Sequence, residues 1–118
     1  MYQMTETELK FAELIWQEAP IGSGELVKCC RQEFAWKKST TYTFLKKLCE
    51  QKIFKNENAV VEPLITKDEY MQRQGEQFVE KAFGGSLPKM IAAFMEHKRL
   101  SRAQIEEIEQ MIEEYKSE

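Results

Sequence analysis

The side chains between Lys37 and Lys55 have the types and the spacing that binding to nucleic acid requires. This segment holds six lysines and one acidic residue, Glu50, so its local net charge is +5. Lysines supply the positive charge that phosphate binding needs, and short hydroxyl side chains allow close approach to base edges. The whole chain, in contrast, has a net charge of −3 over 118 residues. The sequence therefore predicts a local basic surface on an otherwise acidic protein.

A helix predicted from about Ser39 to Gln51 would position these side chains. At about 100° of rotation per residue, one face is apolar or small and the other is polar. Hydroxyls at the helix start followed by lysines are typical of a helix that enters the major groove, where its first N–H groups face phosphate. The alternative is a solvated amphipathic helix with ordinary surface lysines. The inner face comprises Thr41, Phe44, Leu45, Leu48 and Cys49, and the outer face Ser39, Tyr42, Thr43, Lys46, Lys47 and Glu50.

Other candidate chemistry has little support. The three cysteines, Cys29, Cys30 and Cys49, lack CxxC spacing, which indicates neither a disulfide framework nor a zinc site. We interpret them as small buried residues, although a thiol sensor formed by Cys29 and Cys30 stays open because it would need only a perturbed pKa. The one histidine, His97, lies in a charged stretch and is interpreted as solvated. No catalytic motif is recognisable, so we expect no enzyme, cofactor or metal.

Helix signals and one hairpin organise the N-terminal half. Thr5-Glu6-Thr7-Glu8 has the form of a capping box and starts a first helix that runs to about Ala19. Ser23 is predicted to cap a second helix, and the basic helix is the third. A hairpin follows, with strands at 53–55 and 59–62 and a turn at 56–58. Three helices and a short hairpin predict a winged helix-turn-helix domain over residues 1–65, in a mainly α fold.

Residues 66–118 predict three amphipathic helices without strands, the last capped by Ser101 and Gln104. Three apolar stripes in about 50 residues cannot easily bury themselves, which favours a helical dimerisation region and a homodimer. The alternative is that these helices fold back on the N-terminal domain. The candidate dimerisation residues are Phe78, Ala82, Phe83, Leu87, Ile91, Phe94, Ile105, Ile108 and Ile112.

No apolar run approaches the roughly 18 residues that span a bilayer, and the N-terminus lacks the features of a signal peptide. We therefore expect a cytoplasmic protein without membrane insertion.

Four segments carry a family resemblance: TETELKFAELIW (5–16), WKKSTTYTFLKKL (36–48), PLITKDEY (63–70) and FGGSLPKMIAAFMEHKRLS (83–101). In this order and spacing they resemble the penicillinase-repressor family of bacterial transcription regulators, the BlaI/MecI/CopY group. The resemblance implies a homodimeric repressor that binds a pseudo-palindromic operator. The basic segment adds Lys38 and Lys55 to the DNA-facing positions that the resemblance implies, which are Ser39, Thr40, Tyr42, Thr43, Lys46 and Lys47.

The resemblance also implies a mode of release. In the antibiotic-responsive branch, a membrane-bound metalloprotease receptor senses a β-lactam and the repressor is then cut in its dimerisation region. The bond that matches the cleavage site is Ala93–Phe94. At the position of Ala93, the resemblance implies Asn in those repressors. The copper-responsive branch carries a C-terminal cysteine motif, and here no cysteine follows Cys49. A different class of function, a winged-helix protein–protein interaction module that binds no DNA, remains the alternative.

Overall fold

Local capping determines where the first helix begins. In the computed structural model, which describes residues 1–118, helix α1 spans Glu6–Glu18. Thr5 Oγ1 accepts a hydrogen bond from the Glu8 N–H at 3.1 Å, and Glu8 Oε1 accepts one from the Thr5 N–H at 2.9 Å. Both bonds satisfy N–H groups that the helix itself cannot pair, which confirms the predicted capping box.

Two further helices complete the helical part of the N-terminal half. Helix α2 spans Ser23–Phe34 and helix α3 spans Lys38–Glu50. The backbone at Ala35 is left-handed and ends α2, so only three residues separate the two helices. The limits predicted for α1 and α3 are within one residue of those observed.

The predicted cap of α2 is wrong. Gly22 precedes the helix and makes no side-chain capping bond, and Ser23 is already the first helical residue. The Ser23 side chain is buried, and its Oγ accepts a hydrogen bond from the Tyr42 hydroxyl at 3.1 Å. Its hydroxyl therefore serves a contact with α3.

A three-stranded antiparallel sheet combines one short strand before α2 with two strands after α3. Strand β1 is Ile21–Gly22, β2 is Phe54–Glu57 and β3 is Val60–Pro63, in the order β1-β3-β2. Asn58 and Ala59 form a two-residue turn in which both φ angles are positive, as type I′ hairpins require. The turn therefore lies later than the predicted 56–58. With β1 added, the hairpin forms the expected wing, and the winged helix-turn-helix prediction is confirmed.

One apolar core holds these elements together. Phe11 and Ile15 of α1, Leu26 of α2, Leu48 of α3 and Phe54 of β2 are all inaccessible to solvent. Burial of such side chains is the main term that stabilises a domain of this size. The core therefore determines which face of α3 remains outside.

Three helices form the remainder of the chain: α4 at Lys67–Phe83, α5 at Leu87–Glu96 and α6 at Arg102–Lys116. Ser86 caps α5, and Ser101 and Gln104 form the predicted capping box of α6. Gly84 and Gly85 have positive φ and end α4, where a Cβ on Gly85 would lie 2.8 Å from Glu80 Oε2. No residue of α5 or α6 is buried.

The chain divides into two compact units, Met1–Gln74 and Gly75–Glu118, which we call the N-terminal and C-terminal units. The division expected after residue 65 leaves out the first part of α4. Tyr70 is only 3% exposed, and its hydroxyl accepts a hydrogen bond from the Met4 N–H at 2.7 Å. Because Tyr70 packs into the core, the start of α4 belongs with the winged helix.

Candidate nucleic-acid interface

The buried face of α3 orients its polar face outward. Thr41, Leu45 and Leu48 are buried in the core. Lys37 precedes the helix without a side-chain capping bond, so no side chain occupies the first N–H groups of α3. We call the side chains opposite the core the exposed arc: Ser39, Thr40, Thr43 and Lys46, of which only Thr40 is partly covered.

Within this arc, the Thr43 hydroxyl donates a hydrogen bond to the Ser39 carbonyl at 2.9 Å. This bond uses the hydroxyl proton, so Thr43 Oγ1 presents its lone pairs outward as an acceptor. The Thr43 methyl group remains available for apolar contact. Base edges in the major groove offer both amino donors and thymine methyl groups, and this side chain suits either.

Four lysines that lie in α3 or next to it in the sequence have no acidic partner. Lys46 is exposed and takes part in no ion pair, and the same holds for three further lysines. Unpaired ammonium groups retain their full charge for an external anion. The four are Lys37, Lys38, Lys46 and Lys52. Of these, only Lys38 and Lys46 are among the DNA-binding residues predicted from the sequence.

Tyr42 lies at one edge of α3 and contacts another helix. Its hydroxyl donates to Ser23 Oγ, and its ring is half-buried against the core. The Lys38 ammonium lies 6.0 Å from the centre of the Tyr42 ring. The angular position of Tyr42 predicts that its side chain faces outward, but its hydroxyl donates a hydrogen bond to another helix of the same domain.

Lys47 lies at the opposite edge of α3 and contacts α1. Its Nζ is 3.3 Å from Glu8 Oε2 and 5.4 Å from the centre of the Tyr2 ring. Burial opposes ionisation of Glu8, but hydrogen bonds from the Thr5 N–H, the Tyr2 hydroxyl and Lys47 outweigh it and hold the pKa of Glu8 below its ordinary value. Glu8 is therefore ionised at neutral pH.

Lys55 on the wing is also paired internally. Its Nζ lies 3.7 Å from Glu57 Oε2 and 3.6 Å from Glu62 Oε2. Two carboxylates around one ammonium leave a net negative charge at this point of the wing. Of the eight predicted DNA-binding residues, the structure thus brings five together without internal ionic or inter-element hydrogen-bond partners: Lys38, Ser39, Thr40, Thr43 and Lys46.

All three thiols are free, and two of them are poorly suited to redox chemistry. Burial raises the pKa of the Cys30 and Cys49 thiols, which disfavours the reactive thiolate. Cys30 is fully buried and Cys29 is half-buried. No three His, Cys, Asp or Glu side chains come together in an arrangement that could hold a metal ion.

Comparison with known proteins identifies the family of this chain. A family model described as penicillinase repressor matches residues 4–114. This chain belongs to the penicillinase repressor family. The penicillinase repressor of Bacillus licheniformis is 26% identical over 119 residues, which cover 98% of this chain and 93% of that protein. The methicillin resistance regulatory protein MecI of Staphylococcus aureus (strain Mu50) is 19% identical over 115 residues, 94% of each chain.

A solved structure agrees with this membership in the penicillinase repressor family. It is the solution structure of monomeric BlaI from Bacillus licheniformis in complex with the blaP half-operator. It matches with a TM-score of 0.51 and 25% sequence identity, over 58% of this chain and 89% of that chain. The likeness supports the winged-helix assignment.

The candidate dimerisation residues of this family member all remain accessible. None of the nine is buried, and six are exposed: Phe78, Ala82, Leu87, Phe94, Ile105 and Ile112. Phe83, Ile91 and Ile108 are half-buried. The candidate cleavage bond Ala93–Phe94 lies inside α5, with Ala93 half-buried and Phe94 exposed. Neither α5 nor any other helix is long and apolar enough to cross a membrane.

Proposed function

We propose that this chain is a transcriptional repressor that binds a pseudo-palindromic DNA operator as a homodimer. The observation that carries the proposal is the exposed arc of α3, where short hydroxyls lie among four lysines that have no acidic partner. Hydroxyls supply contacts to base edges and lysines supply contacts to phosphate, which together give sequence preference and affinity. Membership in the penicillinase repressor family supports the same function.

In this proposal, Thr43 and Lys46 have different roles. Thr43 presents an acceptor and a methyl group at the centre of the arc and contacts a base edge, as do Ser39 and Thr40. Lys46, with Lys38, contacts phosphate. Tyr42 holds α3 against α2 through Ser23 and contributes its ring at the margin of the interface. The first N–H groups of α3 face a phosphate.

A binding titration separates these roles. We expect Thr43→Ala to cost about 1 to 3 kcal/mol on the DNA upstream of the protein's own coding sequence and little on a random duplex of equal length. Lys46→Ala should weaken binding to both duplexes and make the salt dependence shallower by about one unit. Fluorescence anisotropy at several salt concentrations measures both quantities.

Lys89→Ala is the matched control, since it removes one exposed lysine that has no ion-pair partner and lies outside α3. It should leave the salt slope unchanged. If the wild-type protein binds neither duplex even at low salt, DNA is not its partner and the protein–protein module is favoured. An equal loss for Thr43→Ala on both duplexes would remove Thr43 from the base contacts.

The homodimer is proposed to form through the apolar stripes of the C-terminal unit. Ile105 and Ile112 lie on one side of α6, whereas Ala103 lies on the opposite side. Ile112→Glu should therefore shift sedimentation from dimer to monomer, and Ala103→Glu, which adds the same charge on the other side, should not. A monomeric wild-type protein at micromolar concentration would contradict this part of the proposal.

Relief of repression is proposed to follow cleavage at Ala93–Phe94 by a membrane-bound sensor and protease system that responds to a β-lactam or another stress signal. Phe94 supplies an exposed aromatic side chain at this bond. Because the bond lies within α5, the helix must open locally before a protease can hold it in extended form. Immunoblots of induced cells should show a fragment that ends at Ala93, and intact protein during derepression would refute this route.

A further inference from the structure

Two adjacent lysines of α3 have opposite surroundings. Lys46 is exposed and has no ion-pair partner, whereas the Lys47 ammonium lies 3.3 Å from the Glu8 carboxylate and beside the Tyr2 ring. The Glu8 side chain is only 3% exposed, and that of Lys47 is 52% exposed. The pair therefore combines a buried carboxylate with an ammonium at the surface of the domain.

Glu8 receives more donors than a capping box supplies. The Tyr2 hydroxyl lies 2.7 and 2.9 Å from its two carboxylate oxygens, and the Thr5 N–H and Lys47 add one donor each. Hydrogen bonds that the Lys47 ammonium donates to Tyr2 and Glu8, together with the negative charge of Glu8, raise the pKa of Lys47. The two charges thus stabilise one another in the folded protein.

The segment that carries Tyr2 is itself fixed to α4. Gln74 Nε2 donates to the Tyr2 carbonyl at 3.2 Å, and the Met4 N–H donates to the Tyr70 hydroxyl at 2.7 Å. Residues 2–8 therefore form a bridge between the start of α4 and the C-terminal half of α3. This anchoring limits how far Tyr2 and Glu8 can follow Lys47 if it moves.

A phosphate contact by Lys47 would require the ammonium to leave Glu8. That exchange would deprive a buried carboxylate of its only cation, and leaving a buried charge without its partner is costly. No comparable cost opposes a phosphate contact by Lys46. Helix α3 therefore carries one lysine, Lys46, that can contact phosphate without losing an ion pair, and one, Lys47, that is paired with Glu8.

We infer that Glu8 and Tyr2 are positioning residues that orient α3 through Lys47, and that Lys47 makes no phosphate contact in the DNA complex. Glu8 acts as the internal counter-ion of Lys47, in the place that a phosphate would otherwise take. This inference rests on the proposed DNA binding, and it reverses the phosphate-facing role that the family resemblance implies for Lys47. The affinity for DNA then depends on the four lysines without an acidic partner.

The salt dependence of DNA binding counts the lysines in phosphate contact. On a random-sequence duplex, each contact contributes about 0.9 to the slope of log K against log salt concentration. We expect Lys47→Ala to leave the slope at the wild-type value and Lys46→Ala to make it shallower by about 0.9. The two variants remove the same charge from neighbouring positions of one helix, so each is the control of the other.

Glu8→Gln tests the counter-ion directly. Gln at this position still completes a capping box, so the variant removes the charge and keeps the helix start. Released from its carboxylate, Lys47 should then reach phosphate, and the slope should become steeper by about 0.9. In the double variant Glu8→Gln/Lys47→Ala the slope should return to the wild-type value, because the additional contact is made by Lys47 itself.

Three results would overturn the inference: a shallower slope for Lys47→Ala, an unchanged slope for Glu8→Gln, or a steeper slope that persists in the double variant. Far-ultraviolet circular dichroism verifies the fold of each variant. If Glu8→Gln is unfolded, the comparison of Lys46→Ala with Lys47→Ala decides alone. Absence of salt-dependent binding by the wild-type protein would refute the proposed function itself, which distinguishes the two failures.

Discussion

The two units of the chain differ in what they do with their apolar side chains. Every buried apolar residue lies between Met4 and Tyr70, in the N-terminal unit. In the C-terminal unit, Phe78 is 56% exposed and Tyr115 is 79% exposed. A unit that exposes large apolar side chains at helical spacing has a surface suited to a partner. The N-terminal unit thus buries apolar side chains in a core of its own, whereas the C-terminal unit leaves its large apolar side chains accessible.

The charges follow the same division. Four lysines without acidic partners lie in α3 or next to it in the sequence, in the N-terminal unit, whereas α6 carries five glutamates against Arg102 and Lys116. DNA phosphate attracts the first surface and repels the second. The mild negative charge of the whole chain is thus the sum of two surfaces of opposite sign. In the proposed repressor, α3 is the surface that contacts DNA.

The largest effect should come from the core of the N-terminal unit. Phe11→Ala removes a fully buried ring and should lower the free energy of unfolding by about 3 to 5 kcal/mol. Both tryptophans, Trp16 and Trp36, lie in this unit, so their fluorescence during denaturation reports on it specifically.

Phe78→Ala is the matched substitution in the C-terminal unit, where the ring is exposed. It should leave the tryptophan-monitored unfolding transition unchanged. An equal loss for both variants would show that the two units unfold together.

A smaller effect should distinguish the two capping boxes. Thr5→Ala removes the side-chain acceptor at the start of α1 and should cost about 1 kcal/mol in the tryptophan-monitored transition. Ser101→Ala removes the same type of cap from α6 and should reduce helical circular dichroism without shifting that transition. Coincident shifts in both variants would contradict the independence of the units.

The smallest effect should appear in the pH dependence of stability. Because the pKa of Glu8 is lower in the folded protein than in the unfolded chain, the unfolded chain binds the extra proton as the pH falls below about 4.5. The contribution of Glu8 is therefore present above this range and is lost as the pH falls through the folded pKa. In Glu8→Gln, the decrease in tryptophan-monitored stability between pH 5 and the acid limit should be smaller. A decrease as steep as in wild type would assign it to other carboxylates.

Features that depend on residues within one helical turn of each other could be predicted from the sequence. The capping boxes at Thr5 and Ser101 involve residues three positions apart, so the helix starts follow from local residue types. The apolar spacing of α3 was likewise sufficient to identify its buried face. Strand β1 was not predicted, because two residues have no periodicity and Ile21 pairs with Val61, forty positions away.

Contacts at the edges of α3 could not be predicted from the sequence either, because their partners are distant along the chain. Tyr42 and Lys47 belong to the outer face by angle, but their partners Ser23 and Glu8 lie on other helices. Angular position distinguishes the core from solvent, and it cannot distinguish a side chain that is free from one that bonds to a neighbouring helix. Lys37 and Lys52 flank α3 and contribute to its local charge, but they were not predicted as DNA-binding residues. Only the folded structure shows that they have no acidic partner.

DNA binding by α3 is tested most directly by the backbone amide chemical shifts of the full-length protein, recorded while the upstream duplex is added. We expect changes concentrated at Ser39, Thr40, Thr43 and Lys46, with few in α5 and α6. Changes concentrated in α5 and α6, with α3 unaffected, would contradict the assignment of DNA binding to the N-terminal unit.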